Sequence, residues 1–534
     1  MSASLQEHIN GIGQFPITVG DHIPSIVGVK LNAHIAKLIV HGRMMALMFG
    51  QKGHPCHEGE RLLKILETEL ANESIVLFQP HFVVLSVVNV ARRDGNCLRN
   101  PNFASMEDAS FSNKGSKPIG FAPPFIDEDT IAAVSRVLRS GWITTGPETA
   151  AFENELAQFC GTERVVCGAS WTGLAGVILD WFGVGPGDEV ILPSYTYCAT
   201  ANVVLHRGAT PVLVDLPEPS NQDGLNIRWA DVLPHLTPRT KVIMPVDIGG
   251  WPIPASDWIS ELISWSKVNG FQANNGVQSQ LGRPLLLLDA AHSLGATVDG
   301  ATVGSQADLS VFSFHAVKNL TTAEGGAVAI ALPAPFDAHQ VHQSFRTLGL
   351  HGQSKDAAAK FQSEAKDAWR YDVTTPGFKC NMTDIQAAMG RVALARYSSD
   401  LTTRRRLADR YDGGFDDWAE VILPVRSDAR RMSSDHLYPI RLPRFSEDER
   451  NALMRWLQSQ GIATNVHFQP LPMLSAYADR GHKQEDHPAA MDAYSCEISL
   501  PIHLHMSLQD VDRVVQAVRE GHAHVMAQNE DFKA

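Results

Sequence analysis

Between about Gly120 and Leu332 the apolar residues fall into short continuous runs, bounded by polar or glycine-containing stretches. Arg164–Cys167, Glu189–Pro193, Pro211–Asp215, Lys241–Val246, Leu285–Asp289, Leu309–Phe314 and Ala327–Leu332 read as seven strands. Most are separated by stretches of helical period, which predicts a largely parallel, doubly wound α/β sheet. Ahead of them, Asp127, Glu128 and Asp129 place carboxylates in the first turn of a helix, where the unpaired amides favour negative charge. Ile131, Val134 and Leu138 form that helix's expected apolar face, and Gly141 ends it. The Asn-, Gln- and Gly-rich stretch Asn269–Arg283 reads as a surface loop insertion.

The pattern changes after about Gly414. His436–Arg441 and Ile462–Phe468 read as strands, and Glu447–Gln460 and Ser507–Glu520 as amphipathic helices. Upstream, Ile35, Leu38, Ile39, Met44, Met45 and Leu47 recur at helical spacing, and Asp94–Lys117 has a linker's composition. The expected division is residues 1–116 as an extension plus linker, 117–414 as a large domain and 415–534 as a small C-terminal domain.

Composition narrows the function classes. The 534 residues are 44% hydrophobic and 19% charged, an ordinary globular balance, with a net charge of −13 and no long basic run. That excludes a phosphate-tracking nucleic-acid surface. Ile75–Val90 is apolar but short and broken by Gln79, Pro80, His81 and Asn89, so it reads as buried structure rather than a membrane span. The 7 cysteines are scattered, without a CxxC pair, which argues against a zinc site or a disulfide framework and fits a reducing cytoplasm. No basic segment followed by an apolar one opens the chain, so no signal peptide is expected.

Two strand ends carry the candidate chemistry. Pro284–Leu288 is apolar and ends in Asp289; Val311–Phe314 is apolar and leads to His315 and Lys318. Ligands of open α/β sheets collect outside the carboxyl ends of the strands, so Asp289 and Lys318 can face one pocket. A lysine held in an apolar setting loses part of its charge and becomes a nucleophile towards an aldehyde. A buried aspartate needs a cation. Pyridoxal phosphate (PLP) requires both, a lysine for its aldehyde carbon and a carboxylate for its ring nitrogen. For Lys318 alone, a surface lysine after an edge strand is the competing reading.

An ordered set of motifs adds to this. The Asp289-Ala290-Ala291-His292 block and the Phe312-Ser313-Phe314-His315-Ala316-Val317-Lys318-Asn319 block are joined by Ser140–Pro147, Gly185–Val190, Gly208–Pro211 and Pro376–Ile385. From about Gly120 to about Val525 the chain resembles the DegT/StrS-type nucleotide-sugar aminotransferases. Pro376–Ile385 and Thr403–Arg406 look most like the branch that makes 4-amino-4-deoxy-arabinose nucleotides. The resemblance implies PLP-dependent transferase fold type I, with a mostly parallel seven-stranded sheet in the large domain and a smaller C-terminal α/β domain.

By this resemblance Lys318 is the catalytic lysine and Asp289 the ring-nitrogen partner. Thr172 and Ser313 match the phosphate-binding residues, Ser313 sharing a strand face with His315. Tyr197 matches the aromatic residue over the ring, and His292 a contact near the ring oxygen. Asn381 matches an asparagine that reaches the phosphate across a homodimer interface, and His467 is a substrate-side contact. Plain alternatives stand beside four of these: a helix cap for Thr172, a core tyrosine for Tyr197, a satisfied core histidine for His292 and a loop or cap asparagine for Asn381. Trp171 departs from the pattern, standing where a small residue is usual, and crowds the expected phosphate cup. No metal-ligand spacing occurs among the 22 histidines.

The implied activity is transfer of an amino group from glutamate, leaving 2-oxoglutarate, to a keto group of a nucleotide-linked sugar. A PLP-dependent sugar dehydratase, which in the resembled family carries histidine where Lys318 stands, and a catalytically silent homologue are the alternatives. A third is a PLP enzyme of small amino acids, which needs a cation such as arginine for the second carboxylate.

Overall fold

The computed structural model describes residues 117–217, 224–354 and 369–533. The expectations for residues 1–116 lie outside them. Seven strands form the main sheet: β1 Arg164–Gly168, β2 Glu189–Pro193, β3 Thr210–Val214, β4 Thr240–Ile243, β5 Leu285–Asp289, β6 Leu309–Ser313 and β7 Gly326–Ile330. Their spatial order is β1-β7-β6-β5-β4-β2-β3. All pairings are parallel except those of β7, which runs antiparallel to both β1 and β6.

The continuous apolar runs are explained by helices on both faces. Leu286 and Leu288 of β5 pack with Phe152 and Leu156 of α2 (Pro147–Cys160) and with Trp258 and Leu262 of α5 (Ala255–Asn269). Leu285 and Leu287 point the other way, to Leu174 and Ile178 of α3 (Trp171–Trp181) and Val204 of α4 (Cys198–His206). Successive strand residues face opposite sides, so a strand covered twice must be apolar throughout.

The helix expected near Asp127 is α1 (Glu128–Ser140), capped by the Asp127 carboxylate and ended by Gly141 in the left-handed region at φ 75°. Its buried face differs from the expectation. Thr130, Ala133 and Val137 are buried, Ala133 and Val137 against Ala388, whereas Ile131 and Leu138 are 49% and 54% exposed. The helix lies close against α8 (Asp384–Phe415), which comes after α7 (Ala338–Gly349) in the chain, and small side chains permit that approach better than isoleucine or leucine.

The stretch Asn269–Arg283 is not a free loop. It contains α6 (Gly276–Leu281), and its polar side chains serve as fasteners. Asn275 Nδ2 and Gln278 Nε2 donate to the Phe182 carbonyl at 3.0 and 2.8 Å, and Asn274 Nδ2 donates to Asp188 at 2.8 Å. Arg283 ends it in a buried bidentate pair with Asp308, both contacts 2.7 Å.

Beyond α8, β8 (Tyr438–Arg441) and β9 (Glu497–Leu500) form an antiparallel pair. α9 (Glu447–Ser459) and α11 (Leu508–Lys533), separated in the chain by α10 (Pro488–Cys496), pack with them around a separate apolar cluster that includes Leu453, Leu457, Val511 and Val518. Residues 462–468, expected as a strand, make only isolated bridges, Ile462 to Ile119 and Asn465 to Ser499. Among the described residues no helix is long and apolar enough to cross a membrane.

Candidate active site

The carboxyl ends of β1, β2, β5 and β6 converge on a cavity of about 420 Å³. Because β7 runs the other way, its starting end lies at the same edge and brings Glu324 and Gly325 to the rim. Gly326 begins β7 where no side chain fits, since a Cβ there would lie 2.7 Å from the Trp171 amide nitrogen. That close approach seats the start of α3 against the sheet.

Lys318, Asp289, Thr172, Ser313, Tyr197, His292 and His467 all line this one cavity. Asn381 does not. It lines a neighbouring depression with Thr145 and Cys380, where its Nδ2 donates to Thr145 Oγ1 at 2.6 Å.

The Asp289 carboxylate is buried and under-compensated. It accepts from Thr200 Oγ1 at 3.0 Å and from the Ala291 amide at 3.2 Å, and burial still pushes it up to about 6. Thr200 is oriented in turn by Thr196, whose hydroxyl is 3.0 Å away. The Trp171 indole nitrogen, buried and without a hydrogen-bond partner, is near enough to favour the ionised carboxylate weakly. Burial lowers Lys318 to about 8, and the Asp289 charge opposes that shift. Each group feels the other's charge across the same cavity.

The plain alternatives for two residues are removed by their placement. Ser170, not Thr172, caps α3, accepting from the Gly173 amide at 3.0 Å, so Thr172 is left exposed at the cavity wall. Tyr197 is 60% exposed; the buried core tyrosine is its neighbour Tyr195. His292 is both buried and satisfied. Its Nδ1 accepts from the Gly249 amide at 3.2 Å, which places its single proton on Nε2, and burial holds it well below the usual histidine range.

Sequence reasoning missed Thr200, His436 and Phe468. Thr200 stands one helical turn after Tyr197, a spacing that carried a signal. His436 carried none, since it arrives from a distant segment. Its Nδ1 is 2.9 Å from Asn319 Oδ1, and its ring lies 4.4 Å from that of His292.

The cavity suits PLP by its donor set. A buried carboxylate lacking a cation fits a protonated ring nitrogen, and a partly neutral amine fits the aldehyde carbon. The first-turn amides of Trp171 and Thr172 have no intrahelical acceptor and lie at the positive end of α3, which fits a phosphate. Cofactor loading should therefore quicken as pH rises and level off above about 8, where the Lys318 amine has lost its proton. An ordinary lysine would gain about tenfold per pH unit up to about 10. Stopped-flow absorbance of the apoprotein mixed with PLP measures this; a rate still climbing beyond about pH 9 contradicts a depressed amine.

The chain matches the DegT/DnrJ/EryC1/StrS aminotransferase family over residues 124–519. It is 35% identical over 403 residues to the spore coat polysaccharide biosynthesis protein SpsC of Bacillus subtilis, spanning 75% of this chain and 96% of SpsC. Among solved structures it is similar to the PMP form of Spr1654 of Streptococcus pneumoniae, a candidate sugar aminotransferase. Identity is 40%, the TM-score is 0.72, and the match covers 76% of this chain and 100% of the other. Helicobacter pylori PseC, an aminotransferase involved in the biosynthesis of pseudoaminic acid, matches at 27% identity and TM-score 0.65 over 76% of this chain and 100% of its own. The chain belongs to the DegT/DnrJ/EryC1/StrS aminotransferase family and is a PLP-dependent aminotransferase.

Proposed function

We propose that this enzyme moves an amino group from glutamate to a keto group of a nucleotide-linked sugar, releasing 2-oxoglutarate. The observation that carries the reading is the meeting of Lys318 and Asp289 in one cavity. Bound PLP supplies an electron sink for the carbanion formed at the donor's α-carbon. Lys318 Nζ holds the cofactor and, once free, takes and returns the α-carbon proton; its lowered pKa suits a base working near neutral pH. Asp289 keeps the ring nitrogen protonated. Ser313, Thr172 and the start of α3 would hold its phosphate, and Tyr197 and His292 would contact its ring. His467 faces the substrate.

A sugar acceptor is favoured by the lining. Apart from Lys318, Asp289 and Glu324, the cavity wall carries neutral polar and apolar groups, including Thr196, Thr200, His436 and Phe468. Such a wall suits hydroxyls better than a second carboxylate. The names of SpsC, Spr1654 and PseC point the same way. Purified protein given PLP, glutamate and a panel of keto-sugar nucleotides should form 2-oxoglutarate in excess of the PLP present only when an acceptor is supplied. Cofactor binding without turnover on the whole panel rejects this acceptor class. We place this chemistry in a reducing cytoplasm, where the described cysteines Cys160, Cys167, Cys198, Cys380 and Cys496 remain free.

We further propose a homodimer in which Asn381 serves the partner's phosphate site. Asn381 stands outside its own chain's cavity, and Ile131, Leu138 and Ile143 leave large apolar side chains in water. Chains carrying Lys318→Ala and Asn381→Ala, inactive and weakened alone, should complement when mixed. Half the dimers would be mixed, each with one intact site, giving about a quarter of wild-type activity. Activity that does not rise on mixing contradicts a shared site.

A further inference from the structure

The bridge between Asn465 and Ser499 sets an antiparallel register that also brings His467 opposite Glu497. On one face lie His467, Ser499 and Glu497, joined in series. Glu497 Oε2 accepts from the His467 main-chain amide at 2.9 Å, and Glu497 Oε1 accepts from Ser499 Oγ at 2.5 Å. Ser499 Oγ is 2.9 Å from His467 Nδ1. The Tyr195 hydroxyl donates to the His467 carbonyl at 2.7 Å, and Phe121 stacks on the imidazole at 5.5 Å. With Nδ1 committed to Ser499, the ring offers Nε2 to the cavity, where Asn465 Nδ2 stands 3.5 Å away.

We propose that Glu497, Ser499 and His467 form a proton relay serving an oxygen of the bound sugar. With Glu497 ionised, Ser499 donates to it and accepts from Nδ1–H, so His467 Nε2 is an acceptor, approached from the protein side by Asn465 Nδ2. When a substrate hydroxyl gives its proton to Nε2, the Nδ1 proton passes to Ser499 Oγ and the Ser499 proton to Glu497 Oε1. Glu497 is then neutral and Nε2–H is a donor. One proton has crossed, only N–H and O–H bonds have been exchanged, and the imidazole has stayed uncharged. His467 acts on the substrate; Ser499 and Glu497 are positioning residues that act through it. The group they serve is an oxygen that alternates between donor and acceptor, not a fixed anion such as a phosphate.

The surroundings allow both states. Glu497 is fully buried, next to Arg441 on β8, Arg450, Cys496 and Tyr195, and burial outweighs the two cations and raises it to about 8. His467 shares its surroundings with Lys318, His292 and His436, and burial and the Lys318 charge hold it near 3, so imidazolium is disfavoured.

The acceptor's identity rests on the proposed sugar reading, but the relay is tested without turnover. Histidine-selective ¹⁵N spectra of the holoenzyme, with the His467 signal assigned by its loss in His467→Asn, report which ring nitrogen carries the proton. The wild type should shift from the Nε2–H to the Nδ1–H tautomer as pH rises from about 6 to about 10, following the Glu497 carboxyl. In Glu497→Gln the amide must turn its carbonyl to the His467 N–H and its NH₂ to Ser499, fixing the Nε2–H tautomer at every pH. Ser499→Ala, a smaller change that guards against misfolding of the first variant, should also remove the pH response. Acceptor kcat/KM should fall about 10²-fold in either variant. A wild-type tautomer that ignores pH, variants that titrate like wild type, or a charged imidazolium would each overturn the relay. A working relay in a protein that turns over no keto-sugar would instead reject only the acceptor.

Discussion

Replacing Lys318 by alanine should abolish turnover, lowering kcat by at least about four orders of magnitude, without unfolding the protein. The size follows from two duties resting on one amine. Lys318 anchors the cofactor and also moves the α-carbon proton, and no other lysine or arginine lines the described cavity. His292, His436 and His467 stand nearby, but burial holds all three below the usual histidine range, so none is a base of matching strength. The fold should survive, because the lysine is partly exposed at the cavity and is not among the sheet's apolar contacts. Steady-state release of 2-oxoglutarate, with circular dichroism as the folding control, checks this. Residual activity within about a hundredfold of wild type would show that another group moves the proton.

Asp289→Asn should follow with a fall in kcat of about 10²- to 10³-fold, while PLP still binds. Asparagine keeps the shape and can still accept from the Ala291 amide through Oδ1, while its Nδ2 would donate to Thr200 Oγ1, but it supplies no charge to hold a proton on the ring nitrogen. The electron sink weakens while the cradle persists. The neighbouring amine should respond as well. Asp289 raises the Lys318 pKa, so its neutralisation should lower that value below about 8 and move the cofactor-loading profile to lower pH. A variant with wild-type kcat would remove Asp289 from the ring-nitrogen role.

The sheet was legible because strands covered on both faces must be apolar at every position, and Leu285–Leu288 can satisfy that in few other settings. Asp289 and Lys318 were legible for the same reason, as ionisable groups at the ends of such runs. What escaped depends on partners far away in the chain. The buried side of α1 is chosen by α8, more than two hundred residues later, which prefers Ala133 and Val137 to Ile131 and Leu138. Asn274, Asn275 and Gln278 looked like loop residues because their acceptors, Asp188 and the Phe182 carbonyl, are remote. Glu497 carried no signal in the sequence, because only the register of Asn465–His467 against β9 sets it opposite His467.

Arg404 lies just behind the cavity, fully buried in α8, and a single nitrogen, Nη1, reaches the carbonyls of Asp435, His436 and Ile502 at 3.3, 3.4 and 3.1 Å. One guanidinium thus rivets two separate wall segments to a long helix. Slack for admitting a bulky acceptor has to come from elsewhere on the rim, where Tyr197 stands largely in water. Attempts to widen the enzyme's tolerance by directed change would do best to begin at the exposed rim and leave the rivet alone.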